Sequence, residues 1–219
     1  ERSAMTESTS MPYQEVFPML RSKLRAMLSA KPNYQRLAYI ESTGKQIIET
    51  GMKPSNNLTV YMDFQLITTV FDGNNRCGCA YYADGHRYRP LKLSTGYIQT
   101  AQMGTGRQLS RITADTKRHT IIYNNAQGNA LYDGANAVKV YQAISPPNDV
   151  GLGVFGQCQT MPDSTLHYSE STLVKMRLYE LVGYDKVSGE EIYHAVPVLD
   201  GNGTPCLYDK VSGRFEYDT

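Results

Sequence analysis

The chain has no tryptophan, only four cysteines and five phenylalanines among its 219 residues, and almost no net charge, at +1. Each shortage excludes something. Without Trp and with few Phe, a binding surface would draw its flat aromatic faces mainly from the 17 tyrosines, whose ring and hydroxyl suit sugars and protein partners alike. A balance near zero gives no long-range field to draw nucleic acid or an anionic membrane to the whole molecule. No apolar run approaches the roughly 20 residues needed to cross a bilayer, and the longest candidates carry Asp63 or Lys175 in their middle. Residues 1 to 10 lack the basic start and apolar stretch of a signal peptide. Cys77, Cys79, Cys158 and Cys206 could pair in three ways, but their spacing does not resemble a disulfide framework, so free, mostly buried thiols are expected.

Motifs of chemistry are also missing. There is no Gly-x-Ser-x-Gly elbow, no His-Glu-x-x-His and no Gly-x-x-x-x-Gly-Lys phosphate loop. Cys77 and Cys79 with His86 and His119 could be drawn as a zinc site. Two cysteines two apart on a strand share a face, however, and entry into the core is the simpler expectation.

What is present is the composition of a folded globular chain, 41% hydrophobic and 20% charged. The length suits one large β sandwich plus an appendage. From Pro12 to Ala30 the apolar residues Val16, Leu20, Leu24, Met27 and Leu28 recur at three- and four-residue steps, the spacing of one helical face. Lys31-Pro32 would end that helix, and Arg21, Lys23, Arg25 and Lys31 gather on or near its other side. The organisation expected is therefore an N-terminal tail and amphipathic helical arm over 1–34, followed by a β domain over 35–219.

After residue 35 the period changes to alternation. Leu58, Val60, Met62, Phe64 and Leu66 point one way and Thr59, Tyr61, Asp63 and Gln65 the other, predicting one core face and one wet face. Val174, Met176 and Leu178 alternate likewise with Lys175, Arg177 and Tyr179. Gly151 and Gly153 alternate with Val150, Leu152 and Val154, where a missing side chain lets another backbone or a ligand come close. Asp72-Gly73, Asp84-Gly85, Asp133-Gly134 and Asp200-Gly201 are suited to hairpin turns. The hexapeptide Tyr184-Asp-Lys-Val-Ser-Gly189 is repeated as Tyr208-Asp-Lys-Val-Ser-Gly213. Two copies are too few for a solenoid and read instead as two corners of similar geometry.

Two segments carry a more specific signal. Arg36-Leu-Ala-Tyr-Ile-Glu-Ser-Thr-Gly44, continuing through Gln46-Ile-Ile-Glu-Thr-Gly51 and Lys53-Pro54, closely resembles the opening of a LamG-like jelly-roll domain found in gut-bacterial surface proteins and their phages. Leu178-Tyr-Glu-Leu181, Ala195-Val-Pro-Val-Leu-Asp-Gly-Asn-Gly203 and Cys206-Leu-Tyr-Asp-Lys-Val-Ser-Gly213 with Phe215 resemble the closing strands of that family. Arg118 to Ile122 and Ala130-Leu-Tyr-Asp-Gly134 match more loosely between them. The resemblance implies a mainly β fold, a two-sheet antiparallel jelly-roll sandwich of the concanavalin A-like type, here preceded by one amphipathic helix that is not part of the family pattern. It implies recognition more often than catalysis, in an extracellular, cell-surface or virion setting; fold alone does not decide, since this sandwich hosts lectins, hydrolases and structural modules.

Glycosidases of this fold present Glu-x-Asp-x-x-Glu on one strand so that alternate carboxylates flank a glycosidic bond. Here Asp63 has Tyr61 and Gln65 two positions either side, so no catalytic residue is expected and Asp63 reads as a surface side chain. Asp72-Gly-Asn-Asn75 and Asp200-Gly-Asn-Gly203 offer oxygens of the kind that hold calcium at the rim of some laminin G modules, but they lack the further carboxylates of a calcium loop and read as turns. No cofactor is expected. The densest aromatic and basic cluster is Cys79 to Pro90, a hairpin with Asp84-Gly85 at its tip, with Tyr82, His86, Tyr88 and Arg89 as the candidate ligand-binding residues. Two arginines without a wider positive groove do not suggest nucleic acid.

The function expected is a non-catalytic recognition or adhesion module for a glycan or surface protein. Residues 12–30 would attach it to a virion or cell-surface assembly, by self-association or by docking on a shell protein. The alternative is a structural virion component, a head or tail fibre or decoration protein, with no small ligand.

Overall fold

The computed structural model describes residues 32–71, 76–83, 86–94, 96–100, 110–140, 150–160, 166–168 and 170–219. The helix expected over residues 12–30 lies outside them. The compact unit formed by the β domain runs from Tyr34 to Thr219. Among the described residues no helix is long and apolar enough to cross a membrane.

The strands in chain order are β1 (Gln35–Arg36), β2 (Ile40–Glu41), β3 (Ile48–Glu49), β4 (Leu58–Leu66), β5 (Arg76–Ala83), β6 (His86–Ser94), β7 (Tyr97–Thr100), β8 (Ser110–Thr113) and β9 (Arg118–Tyr123). They continue as β10 (Asn129–Tyr132), β11 (Ala135–Lys139), β12 (Gly153–Val154), β13 (Gln157–Thr160), β14 (Leu166–Tyr168), a 3-10 turn (Glu170–Thr172), β15 (Met176–Asp185), β16 (Glu191–Leu199), β17 (Pro205–Asp209) and β18 (Arg214–Glu216). One sheet has the order β11-β10-β9-β4-β15-β16-β17-β18, with β2 added to β15 and β1 to β16. The other has the order β14-β13-β5-β6-β7-β8, with β12 lying between β3 and β5. Pairing is antiparallel throughout except where β13 runs parallel to β5.

The two sheets form a β sandwich because the period-two pattern gives each one apolar face. Leu58, Val60, Met62, Phe64 and Leu66 of β4, with Met176, Leu178 and Leu181 of β15, join Cys79, Tyr81, Tyr88, Leu91, Leu93 and Ile98 of the second sheet in one buried cluster. Burial on this scale contributes about 1.5–3 kcal/mol for each large apolar side chain. Tyr88 also spans the layer, since its hydroxyl donates to the Leu58 carbonyl at 2.8 Å and its ring meets Tyr123 edge-on, with centroids 5.0 Å apart.

The opening and closing segments of the domain meet in space. β15 pairs with β2 at its start and with β16 from Leu181 onward. Beyond that stretch β16 pairs with β1. Ile47 donates its backbone N–H to Asp218 and accepts one from Thr219. The repeated hexapeptide makes two turns of one geometry. Asp185 accepts backbone N–H groups from Val187 and Ser188, Asp209 does so from Val211 and Ser212, and the closing Gly189 and Gly213 sit at φ 75 and 73. Asp carboxylates that bond their own turn, followed by a glycine at positive φ, are what such a corner requires.

Gly151 answers to a close backbone approach. A Cβ there would stand 1.6 Å from the Thr50 carbonyl oxygen, because Thr50 and Leu152 are bonded across this strand edge at 2.9 Å. Just beyond it, Phe155 at φ 67 and Gly156 turn the chain, so β12 runs antiparallel and β13 parallel to the same strand β5. A non-glycine residue in that region costs of order 1 kcal/mol, offset here by burial of the Phe155 ring in the core.

Candidate ligand-binding face

The hairpin β5–β6 sorts its side chains by strand alternation. Tyr81 and Tyr88 are opposite each other and fully buried between the sheets. Tyr82 and Arg87 form the next opposed pair and turn to the other face, together with Arg89. Of the four residues singled out from sequence, Tyr82 and Arg89 therefore share a site, and Tyr88 is core. His86 opens β6 opposite Ala83, and its side chain lies outside the described residues.

Neighbouring segments complete the site. β13 places Gln157 beside Ala80 and Gln159 beside Tyr82. The 3-10 turn adds Ser171 and Thr172, fixed there because the Gln157 N–H donates to Thr172 Oγ1 at 3.0 Å and Arg76 donates to the Glu170 and Leu173 carbonyls. Together they line a cavity of about 180 Å³. Arg89 is its fixed point, only 4% exposed. Its Nε and Nη2 both donate to Gln157 Oε1, at 3.0 and 2.7 Å. Burial pushes its pKa below the ordinary guanidinium range, and Arg87 adds to this by repulsion. Arg87 Nε has no hydrogen-bond partner among the described residues, and its guanidinium lies 5.7 Å from the Tyr82 ring centroid.

Sequence reasoning missed Arg87, Gln157, Gln159, Ser171 and Thr172 as members of this site. The two glutamines flank Cys158 in a period-two pattern, which was legible, but their place beside β5 depends on the turn at Phe155-Gly156. Gly78 also changes an expectation. The register slips there, and the glycine faces Leu91 and Met176 in the core. Cys79 therefore joins the core, whereas Cys77 has its sulfur 3.9 Å from Gln157 Oε1. All four cysteines are free and buried. Burial pushes Cys77 and Cys206 up to about 11 and Cys158 to about 12, so they stay thiols at neutral pH.

Asp63, Asp200 and the carboxylates around His119 and His194 are committed to structure. Asp63 is held bidentately by Arg118 at 2.8 and 2.7 Å, and Tyr179 lies 3.8 Å below that guanidinium. The side chain is 11% exposed, so it is a paired, buried strut rather than the solvated residue expected. His119 bridges Asp115 and Asp133, each at 2.7 Å, which uses both ring nitrogens. His194 bridges Glu180 and Glu191 in the same manner. Asp200 accepts N–H groups from Asn202 and Thr204 and the Tyr217 hydroxyl, the bonding of a turn. Asp72 to Asn75 lie outside the described residues. Among the described residues no three His, Cys, Asp or Glu side chains are gathered as metal ligands.

A second cavity, of about 530 Å³, includes Glu49, Tyr193, Asp209 and Glu216. Burial pushes Glu216 up to about 7 against its hydrogen bonds, with the charges of Asp209 and Glu49 acting in the same direction as burial. An acid near neutrality suits proton transfer. Here, however, one oxygen accepts the Gly51 N–H at 2.6 Å and the other the Tyr193 hydroxyl, which ties β18 to β16 and to the segment after β3.

The class these observations define is a two-sheet β sandwich with a basic, aromatic and amide-lined pocket on the face turned away from its core. No protein-family model matches the chain, and no curated protein matches it either.

Proposed function

We propose that the chain is a non-catalytic recognition module of the concanavalin A-like, LamG-type jelly-roll kind. Its ligand, a glycan or a surface protein, sits on the face carrying Tyr82, Arg87 and Arg89, and residues 12–30 attach the module to a virion or cell-surface assembly. The observation that carries the reading is the pocket around Arg89. It offers a tyrosine ring, amide and hydroxyl groups from Gln157, Gln159, Ser171 and Thr172, and guanidinium donors. A flat apolar face beside fixed polar groups is how proteins hold sugars and polar surface loops. The engagement of Asp63, Asp115, Asp133, Glu180, Glu191 and Glu216 in internal bonds supports recognition over hydrolysis. The pairing of the family-like opening and closing segments with each other supports the jelly-roll assignment.

A glycan array probed with the whole chain, together with hydrolysis assays on the polysaccharides it binds, tests this. Binding without turnover, lost on Tyr82→Ala, is the expected result. Turnover of any polysaccharide would overturn the non-catalytic reading. Failure to bind any glycan or surface protein, with assembly that depends on residues 1–34, would favour the structural virion component instead.

A further inference from the structure

The geometry points to an oxyanion subsite at Arg87 and Arg89, and hence to an acidic glycan, bearing a uronate carboxylate or a sulfate ester, as the ligand class. This rests on the reading of that face as a glycan surface and narrows it.

The argument begins with charge. Arg89 is 4% exposed, and taking a guanidinium out of water is unfavourable unless an opposite charge or a full set of hydrogen bonds compensates. Its protein partner is the neutral amide oxygen of Gln157, which occupies Nε and one hydrogen of Nη2. The end-on edge of the fork, Nη1 with the second hydrogen of Nη2, makes no hydrogen bond among the described residues. Two parallel N–H groups at that spacing are complementary to two oxygens of one carboxylate or sulfate. Arg87 lies two residues away on the same face, about 7 Å along the strand, with its own Nε unsatisfied. No Asp or Glu is among the described residues that line the cavity. Two like charges in one small pocket repel, and a ligand anion between them removes both the repulsion and the uncompensated burial.

The remaining wall selects a sugar as the bearer of that anion. The volume of about 180 Å³ is below the range of about 300–1,000 Å³ for sites that enclose a whole small ligand, so it takes one acidic group and part of the ring bearing it. Gln159, Ser171 and Thr172 make the rest of the wall neutral and polar, the character that suits sugar hydroxyls, and Tyr82 offers a flat face for the ring.

The test is calorimetry on the whole chain with four probes: an oligogalacturonate, a chondroitin sulfate oligosaccharide, a neutral galactan oligosaccharide of matched length, and a single-stranded oligonucleotide. The expected result is that at least one acidic glycan binds tenfold or more tighter than the neutral one, weakens with added salt, and loses at least tenfold with Arg89→Gln. Arg87→Gln, at a partly exposed position, should cost at least threefold and keeps the test valid if Arg89→Gln fails to fold. Equal binding of neutral and acidic oligosaccharides, or wild-type affinity in both variants, would refute the anion subsite while leaving glycan recognition intact. No binding of either acidic glycan, or tighter binding of the oligonucleotide through the same arginines, would refute the ligand class.

Discussion

Glu216→Gln should make the protein more stable at pH 8, the reverse of the usual effect of removing a bonded, partly buried residue. The carboxyl accepts the Gly51 N–H at 2.6 Å and the Tyr193 hydroxyl, yet burial outweighs these bonds and raises its pKa from 4.5 to about 7. A folded-state value above the unfolded one means that the folded protein holds this proton more tightly. The contribution is therefore complete below pH 4.5 and is lost as pH rises through about 7. At about 1.4 kcal/mol per pH unit the interval between 4.5 and about 7 amounts to about 3 kcal/mol. Water reaching the partly exposed carboxylate takes up part of that, leaving about 1–3 kcal/mol. A glutamine keeps the acceptor for Gly51, can donate to the Tyr193 oxygen and carries no charge to desolvate. Urea unfolding of both proteins at pH 5 and pH 8 measures the difference directly. The variant should gain about 1–3 kcal/mol at pH 8 and little at pH 5, with an unchanged denaturant slope. A variant less stable than wild type at pH 8, or one with the same pH dependence, would refute the claim that burial of this charge dominates its hydrogen bonds.

Gly151→Ala should destabilise by about 2–4 kcal/mol in the same assay, because its Cβ would overlap the Thr50 carbonyl oxygen, a backbone atom that cannot rotate away. A loss under about 0.5 kcal/mol would mean that this strand edge slides freely. The two copies of the repeat should respond differently to the same substitution. Asp185→Ala removes a turn acceptor open to solvent, where water replaces the lost partner, and should cost clearly less than its counterpart. Asp209→Ala also strips the acceptor of the His194 N–H from a residue 3% exposed, and should cost about 2–3 kcal/mol. Equal losses would show that burial does not set the difference.

Much of the fold was legible because it depends on local rules. Alternation in Leu58 to Leu66 and in Val174 to Leu178 identified the faces that line the core, since side chains on a strand must alternate. The repeated Asp-Lys-Val-Ser-Gly stretches identified two corners, because a short carboxylate and a glycine settle a turn within five residues. Glycine at position 151 announced a close approach. What failed was any inference that crossed a register slip or a distance. Cys77 and Cys79 were expected on one face, but the bulge at Gly78 separates them. Asp63 was read as solvated because its partner, Arg118, comes from a strand 55 residues away.

For the candidate site the division is sharper. Sequence by itself determined that the hairpin from Cys79 to Pro90 concentrates tyrosine and arginine, and that Arg87 and Arg89 share a face. Only the tertiary structure decided that Tyr88 is core, that Arg89 is buried against Gln157, and that Gln159, Ser171 and Thr172 close the pocket. The reason is that burial of a charge is a property of everything packed around it. Gln157 reaches Arg89 across 68 residues of chain, through a reversal at Phe155-Gly156 that sets β13 parallel to β5.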